Sequence, residues 1–301
     1  MNKYDLVIIG SGPAGYTAGI YAARYKLKTL IIGEIKGGTA AEAYKVCNFP
    51  TYESINGFKL MKLFQDHVKG LGVETKQDTV NEIVKENEHF KIVTPGEEIF
   101  AKKVILATGT KKRKLDIKNE KKFLGRGVSY CATCDGAFFK DKKVVVVGGG
   151  DAALTAALLV SEFATNVTLV HRGSEFDKAE PTWVEQVKKN PKIEVIYNAN
   201  AIELEGDQLL EKVKLDNGQE IETNGFFIEI GAIPKNNLAK NVGVELTDRG
   251  YMKVDKERKT NIAGLFAAGD ITNNSLKQIV TAAADGAIAA NSAYKEIARS
   301  D

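Results

Sequence analysis

Two stretches of the chain share one pattern of apolar and polar positions. Residues 5–10 (DLVIIG) form an apolar run, and a glycine turn, GSGPAG, follows at 10–15. A helix is predicted over 14–25 and a second apolar strand, TLII, at 29–32. The pattern returns at 143–148 (KVVVVG), the turn GGGDAA at 148–153, a helix over 152–163 and the strand NVTLVH at 166–171. Continuous apolar runs mark parallel strands buried on both faces. Each strand–helix–strand unit has about 30 residues, the size of a mononucleotide-binding half.

Shorter alternating segments follow each unit. Residues 88–93 and 98–104 read as antiparallel strands around the turn TPGE. Residues 192–197 read as a strand, 201–205 and 211–215 as a meander, and DNGQ at 216–219 as a hairpin turn. After each meander an apolar strand ends in small residues, VILATGT at 104–110 and GFFIEIGAIP at 225–234. The C-terminal stretch carries IAGLFAAGD at 262–270, then an alanine-rich amphipathic helix over 277–297. That helix has no unit of its own to complete and is expected to fold back onto the first. The predicted fold is α/β, with two Rossmann-like, three-layer ββα dinucleotide-binding domains. The second (113–244) is inserted into the first (1–112 and 245–301).

Composition narrows the functional classes. The 301 residues are enough for two domains. Hydrophobic content of 44% and charged content of 27% are ordinary for a globular protein. The net charge of +3, from 42 basic and 39 acidic residues, gives no reason to expect nucleic acid or a membrane surface as partner. No apolar run approaches the ~18 residues of a membrane span. The N-terminal run is too short for a signal peptide, and a cytoplasmic location is expected. Three cysteines do not make a disulfide scaffold.

The turn Gly10-Ser11-Gly12-Pro13-Ala14-Gly15 fits G-x-G-x-x-G in its proper place, after a strand and before a helix. Gly10 permits the tight turn, Gly12 lets backbone N–H groups approach a pyrophosphate, and Gly15 lets the helix pack against the strand. The helix N-terminus adds partial positive charge. Glu34 stands at the distance of a ribose-binding acid, although an exposed loop carboxylate would read the same way. The second turn, Gly148 to Ala153 with Gly150, Asp151 and Ala152 at its centre, fits G-x-G-x-x-A. Its second strand ends in His171-Arg172 without an acid, which leans towards NADP rather than NAD, or towards neither. Two such sites suggest a flavin and a nicotinamide exchanging hydride. Ala107-Thr108-Gly109 and Gly269-Asp270 support the flavin, because small residues let a bulky cofactor lie against the backbone. Asp270 could hold ribityl or ribose hydroxyls, or cap a helix. Ile230-Gly231 is the counterpart turn on the nicotinamide side.

Cys131 and Cys134 lie in YCATCDG at 130–136. A metal site normally takes four ligands. Here Cys47 stands apart in VCNFP, and His67, His89 and His171 are scattered, so no metal is expected. A C-x-x-C pair can close a small disulfide ring, and its thiolate can have a pKa near 7 against ~8.5 for free cysteine. Asp135, directly behind, makes sense as a proton carrier to a leaving thiolate. Cys47 is expected to be a buried core residue. A binding or electron-transfer module with spectator cysteines is the alternative class.

GSGPAG, CATCDG, GGGDAA and AAGD, in this order and over essentially the whole chain, resemble the low-molecular-weight thioredoxin reductases. The resemblance implies an FAD domain built from both chain ends, an inserted pyridine-nucleotide domain that rotates, and a homodimer. It implies that electrons pass from NADPH or NADH through FAD to the cysteines and on to thioredoxin or a thioredoxin-like protein, with Cys134 on the flavin side. By position, Gly10 to Gly15, Gly37, Gly38, Thr39, Ala40, Asn48, Val80, Ala107 to Gly109, Asp270, Lys277, Gln278 and Ile279 match FAD contacts. Lys277-Gln278 replaces the usual Arg-Gln, and Gly38-Thr39-Ala40 replaces Gly-Gln-Leu. The NADPH fingerprint departs further. Gly173 and Asp177 occupy the second and third arginine positions, leaving Arg172 and, if the loop is one residue longer, Lys178. Two lost hydrogen bonds to a charged group correspond to about 3–6 kcal/mol. Some relatives of this kind take electrons from NADH or reduced ferredoxin, or run as oxygen-using dithiol oxidases.

Overall fold

The computed structural model describes residues 2–299. The chain divides into two compact units, Met1–Lys111 with Ile233–Asp301, and Lys112–Ala232. Along the chain the first unit opens with β1 (Asn2–Ile9), α1 (Pro13–Arg24), β2 (Thr29–Ile32), α2 (Gly57–Gly70), β3 (Glu74–Lys76), β4 (Glu82–Glu86), β5 (His89–Val93) and β6 (Glu98–Leu106). β7 (Thr110–Lys112) and, later, β16 (Ala232–Pro234) lie at the two crossing points. The second unit holds α3 (Glu120–Phe123), β8 (Val128–Ser129), α4 (Ala132–Asp135), β9 (Lys143–Gly148), α5 (Asp151–Ser161) and β10 (Asn166–Val170). It continues through α6 (Pro181–Lys189), β11 (Ile193–Ile196), β12 (Ala201–Glu205), β13 (Lys212–Leu215), β14 (Glu220–Glu222) and β15 (Gly225–Glu229). The chain returns to the first unit with α7 (Asn237–Asn241), β17 (Leu265–Ala267) and α8 (Ile279–Ile297).

In the first unit the sheet order is β3-β2-β1-β6-β5-β4, with β17 also paired to β6. β1 is parallel to β2 (Ile8↔Ile31) and to β6 (Ile8↔Ile105). Alternate side chains serve opposite faces. Leu6, Ile8, Ile31 and Ile105 pack with α1 and α8 residues such as Ala18, Ala22, Ala289 and Ala293. Val7, Ile9, Leu30 and Val104 pack on the other face with Phe90, Ile92, Ala239 and Val244. The small residues of α1 and α8 allow close helix approach: a Cβ on Gly286 would lie 2.1 Å from the Ala14 carbonyl oxygen. The C-terminal helix therefore folds back as its composition suggests.

The second unit has the all-parallel order β11-β10-β9-β15-β8. Val144, Val146, Val167 and Leu169 pack with Leu154, Ala157, Trp183 and Val187 of α5 and α6. Val145, Val147 and Val170 pack with Leu204, Val213 and Leu215 of the antiparallel sheet β12-β13-β14. Helices, parallel sheet and antiparallel sheet give the three-layer α/β architecture.

The structure differs from the sequence reading at several points. Residues 98–106 form one strand, because no turn residue interrupts them; its first half pairs with β5 and its last residues with β17. The return crossing falls after Ala232 rather than after residue 244, since Ala239 and Val244 are buried in the core of the first unit. The first crossing follows Lys111 rather than residue 112. Cys47 is exposed, not buried. Its neighbour Val46 pairs with Ile55 and takes the inward position, which turns Cys47 out.

Candidate active site

The cysteine pair sits where β8 passes into the short helix α4. Cys131 and Cys134 form a disulfide with Cα atoms 5.3 Å apart. Cys131 is the N-cap of α4, and its Sγ accepts the Cys134 N–H at 3.1 Å. Cys131 is half-buried and Cys134 is exposed. The Cys131 N–H donates to Ser129 Oγ at 2.9 Å, and Ser129 Oγ donates to Asp135 Oδ2 at 2.6 Å.

The segment entering the pair is anchored from two sides. The Tyr130 hydroxyl donates to the buried carboxylate of Glu120, and Lys112 Nζ donates to the Tyr130 carbonyl. Lys112 also meets Glu229 Oε1 at 3.2 Å. Burial, then the Glu120 carboxylate, push the Tyr130 phenol above the usual tyrosine range. Ser129, Glu120 and Lys112 were not singled out from sequence. Ser129 directly precedes the YCATCDG motif, whereas Glu120 and Lys112 reach it through the fold. Among the described residues no group of three or more His, Cys, Asp or Glu side chains is placed to hold a metal ion.

In the first unit the glycine turn is built by close backbone approach. Gly10 has φ +123°, and a Cβ there would lie 2.0 Å from the Ala107 carbonyl oxygen. A Cβ on Gly15 would lie 1.8 Å from the Gly10 oxygen. Gly12 caps α1 and Pro13 opens it, where a missing N–H costs nothing. Ser11 Oγ donates to the Ile35 carbonyl at 2.8 Å, and the Gly37 N–H donates to the Ser11 carbonyl at 3.0 Å. Gly37 and Gly38, with φ +84° and +58°, turn the chain into a 3-10 helix that contains Thr39 and Ala40. Thr108 Oγ1 donates to the Lys235 carbonyl at 2.9 Å. Glu34 is exposed and meets Lys235 Nζ at 3.3 Å. Val80 is half-buried against the core.

The C-terminal part of the unit brings a charge cluster to Gly269-Asp270. Lys277 Nζ donates to the carbonyls of Asp270 at 3.1 Å and Thr272 at 2.8 Å, and lies 4.1 Å from the centre of the Tyr251 ring. Burial lowers the Lys277 pKa, with Asp270 and Asp285 opposing. Burial raises the Asp270 pKa, with Lys277 opposing. Asp285 Oδ1 takes Arg258 at 2.7 Å, and Asp285 Oδ2 accepts the Gly269 N–H at 3.1 Å. Asp270 is not a helix cap, because Gln278 and Thr281 form the capping box of α8, whose first residue is Ile279. Its carboxylate has no side-chain hydrogen-bond donor among the described residues. A half-buried acceptor of this kind suits ligand hydroxyls. The glycine cradle and this carboxylate together fit a flavin dinucleotide.

The second glycine turn is similar in form. A Cβ on Gly148 would lie 2.2 Å from the Glu229 oxygen, and one on Gly149 would lie 2.1 Å from the His171 ring. Gly150 caps α5 and bridges to Lys178. Asp151 Oδ1 accepts the Glu180 N–H at 2.6 Å, while Ala152 is exposed. His171 Nε2 lies 3.0 Å from the Glu175 carbonyl, with its ring against Phe176. Arg172 and Lys178 are exposed, with no ion-pair partner among the described residues. Gly231 has φ +94° and its carbonyl accepts the Arg113 N–H at 3.0 Å; Ile230 packs beneath it.

Two glycine-turn units of this kind, one of which also carries a C-x-x-C disulfide, define a dinucleotide-dependent disulfide oxidoreductase. Residues 4–286 match the pyridine nucleotide-disulphide oxidoreductase family, and the chain belongs to it. It is 40% identical over 309 residues to a thioredoxin reductase of Peptoclostridium acidaminophilum, covering 98% of both chains. The crystal structure of Lactococcus lactis thioredoxin reductase superposes with a TM-score of 0.95 at 38% identity, over 98% of this chain and 99% of that one. A ferredoxin-flavin thioredoxin reductase from Clostridium acetobutylicum is 33% identical, with a TM-score of 0.55 and 99% of both chains covered.

Proposed function

We propose that the protein is a thioredoxin-disulfide reductase in which Cys131 and Cys134 are the redox pair, Asp135 is the proton carrier, and thioredoxin or a thioredoxin-like protein is the acceptor. The reading rests chiefly on one observation: the Cys131–Cys134 disulfide has a backbone N–H on one sulfur and a carboxylate tied to the same turn. An N–H donor stabilises a thiolate, so Cys131 is suited to remain ionised and attack. The resemblance puts Cys134 on the flavin side, which agrees with that assignment.

A flavin bound here would supply the hydride acceptor and the electron path from a nicotinamide to the disulfide. The residues that would hold it are the turn Gly10 to Gly15, Gly37 to Ala40, Asn48, Val80, Ala107 to Gly109, Asp270 and Lys277 to Ile279. Gly10 and Gly12 present backbone to the phosphates, and Asp270 accepts from sugar hydroxyls. Gly148 to Ala152, His171, Arg172, Lys178, Ile230 and Gly231 would hold NADPH or NADH. The enzyme is read as a cytoplasmic homodimer.

Cys134→Ser tests the reading. The variant should keep its flavin absorbance and lose thioredoxin reduction; retained turnover would overturn the mechanism. Anaerobic titration with NADPH, NADH and reduced ferredoxin in turn, following flavin bleaching, identifies the donor. Bleaching by ferredoxin alone would move the protein to the ferredoxin-dependent branch. Oxygen uptake with a small dithiol and no nicotinamide would instead mark a dithiol oxidase.

A further inference from the structure

The Ser129 hydroxyl occupies a junction that the redox pair alone does not require. The residue is 4% exposed and is fixed on β8 opposite Phe227 of β15. Its Oγ accepts the Cys131 N–H at 2.9 Å and donates to Asp135 Oδ2 at 2.6 Å. The Cys131 carbonyl, which already accepts the Asp135 N–H at 3.1 Å and the Cys134 N–H at 3.2 Å, lies 3.4 Å away as a weaker, shared second acceptor. A hydroxyl has one proton and two lone pairs. One lone pair is committed to Cys131. While Asp135 is ionised, the Ser129 proton points at its carboxylate. When Asp135 holds a proton, the carboxylic acid can donate to the second lone pair, and the Ser129 proton can turn to the Cys131 carbonyl. Asp135 has a partner in both states, and no heavy atom has to move.

We propose that Ser129 is a positioning residue for proton delivery, a hydroxyl rotor that keeps Asp135 aimed at the cysteine pair in both of its protonation states. The inference rests on Asp135 as the proton carrier. In the step concerned, the Cys131 thiolate attacks one sulfur of the acceptor disulfide. The Cys131–acceptor S–S bond forms and the acceptor's own S–S bond breaks. The electron pair leaves on the second acceptor sulfur, which takes the proton from Asp135. The Cys134 thiolate then attacks the Cys131 sulfur, closes the Cys131–Cys134 bond and releases the first acceptor sulfur, which takes a proton from water. The acceptor gains two electrons and two protons, and the cysteine pair loses two electrons.

The charged surroundings leave this exchange to Ser129 and Asp135. The 3-10 turn Gly136–Phe139, which packs on α4, has no charged side chain. β15 contributes only Glu229, held by Lys112, whose ammonium sits at the Tyr130 carbonyl. On α5, also packed on α4, Asp151 is committed to the Glu180 N–H, and the next acid, Glu162, lies beyond the far end of the helix. The Tyr130 hydroxyl is committed to Glu120.

The test compares Ser129→Thr with Ser129→Val in the full flavin-loaded enzyme. The two side chains have the same shape and differ in the hydroxyl, so packing changes cancel. The readouts are kcat and KM for thioredoxin across roughly pH 5–9, with melting temperature and flavin absorbance alongside; proton transfer as a whole contributes about 10²–10⁴-fold. The Val variant should lose about 5–30-fold in kcat relative to Thr, at unchanged KM, with an altered pH profile. In an Asp135→Asn background the Thr–Val difference should disappear, because there is no proton left to position. Equal kcat and equal pH profiles for Thr and Val would overturn the inference, as would an undiminished difference in the Asn background. Asp135→Asn at the wild-type rate would instead overturn the proton-carrier reading, so the two failures are distinguishable.

Discussion

The Asn48 amide donates to Gln278 Oε1 at 3.1 Å across 230 residues of sequence. Gln278 is also the N-cap of α8, in a reciprocal box with Thr281. One side chain therefore starts the C-terminal helix and ties it to the N-terminal segment of the same unit. Gln278→Ala should cost about 1–3.5 kcal/mol, the sum of a cap and a hydrogen bond. Asn48→Ala should cost about 0.5–1.5 kcal/mol. Urea unfolding of the single and double variants should show less than additive loss, because both singles break the same bond.

Asp270 carries a burial penalty that a bound ligand would offset. Burial is the largest influence on its carboxyl and raises its pKa; Lys277 opposes it. In the unfolded chain the group ionises near pH 4. The folded state holds the proton more tightly, so flavin-free protein loses stability from this group as pH rises from about 4 through the raised value. Asp270→Asn removes that loss. Its flavin-free form should melt higher than the wild type at neutral pH, and the gain should vanish near pH 3. The same variant should bind FAD about 10–150-fold more weakly, the equivalent of one lost hydrogen bond to a charged group. Calorimetry with and without flavin separates the two effects.

The strand runs, both glycine turns and the cysteine motif were legible because each is local. An apolar run such as VVVV at 144–147 needs no distant partner to declare itself. Two further helices carry local signals of the same kind. In α2 the buried positions Leu60, Met61 and Val68 follow the Asn56 cap, and in α6 Trp183 and Val187 follow Pro181 at one-turn spacing. The exposure of Cys47 is not written in its own residue type, because it depends on which neighbour a single bridge turns inward. The groups that brace the redox pair are non-local: Lys112 and Glu229 are 117 residues apart. No window along the chain contains both.

Tyr4 gives an alkaline signature in the first unit. Its hydroxyl donates to Glu74 Oε2 at 2.8 Å, and burial followed by Glu74 push its pKa up to about 12. The unfolded phenol titrates near 10. The folded state therefore holds the proton more tightly, and the contribution is fully present below pH ~10 and is lost as pH rises through about 12. Tyr4→Phe should lower stability by about 1 kcal/mol at neutral pH. The gap between variant and wild type, followed by urea unfolding, should close across that window. A constant gap would show that ring packing, not the hydroxyl, carries the effect.

The donor preference should be adjustable at one position in the nucleotide loop. The resemblance expects arginine where Gly173 and Asp177 stand. These sites are not equivalent in the structure. A Cβ on Gly173 would lie 2.7 Å from His171 Nε2, so an arginine there must displace a ring that closes over Gly149. Asp177 is exposed, one residue before Lys178, which bridges to the Gly150 cap of α5. A surface change there should alter stability by less than about 0.5 kcal/mol. Asp177→Arg removes a charge that repels a 2′-phosphate and supplies one that binds it. A charge-assisted hydrogen bond of about 1.5–3 kcal/mol corresponds to about 10–150-fold in affinity. The variant should gain that factor for NADPH over NADH in the rate of flavin bleaching, and Arg172→Ala should lose a similar factor. Gly173→Arg should gain less than Asp177→Arg and should lower the melting temperature, because the His171 ring has to leave its place against Phe176. If neither Asp177→Arg nor Arg172→Ala shifts the NADPH to NADH ratio, the 2′-phosphate does not meet this loop, and the donor enters elsewhere.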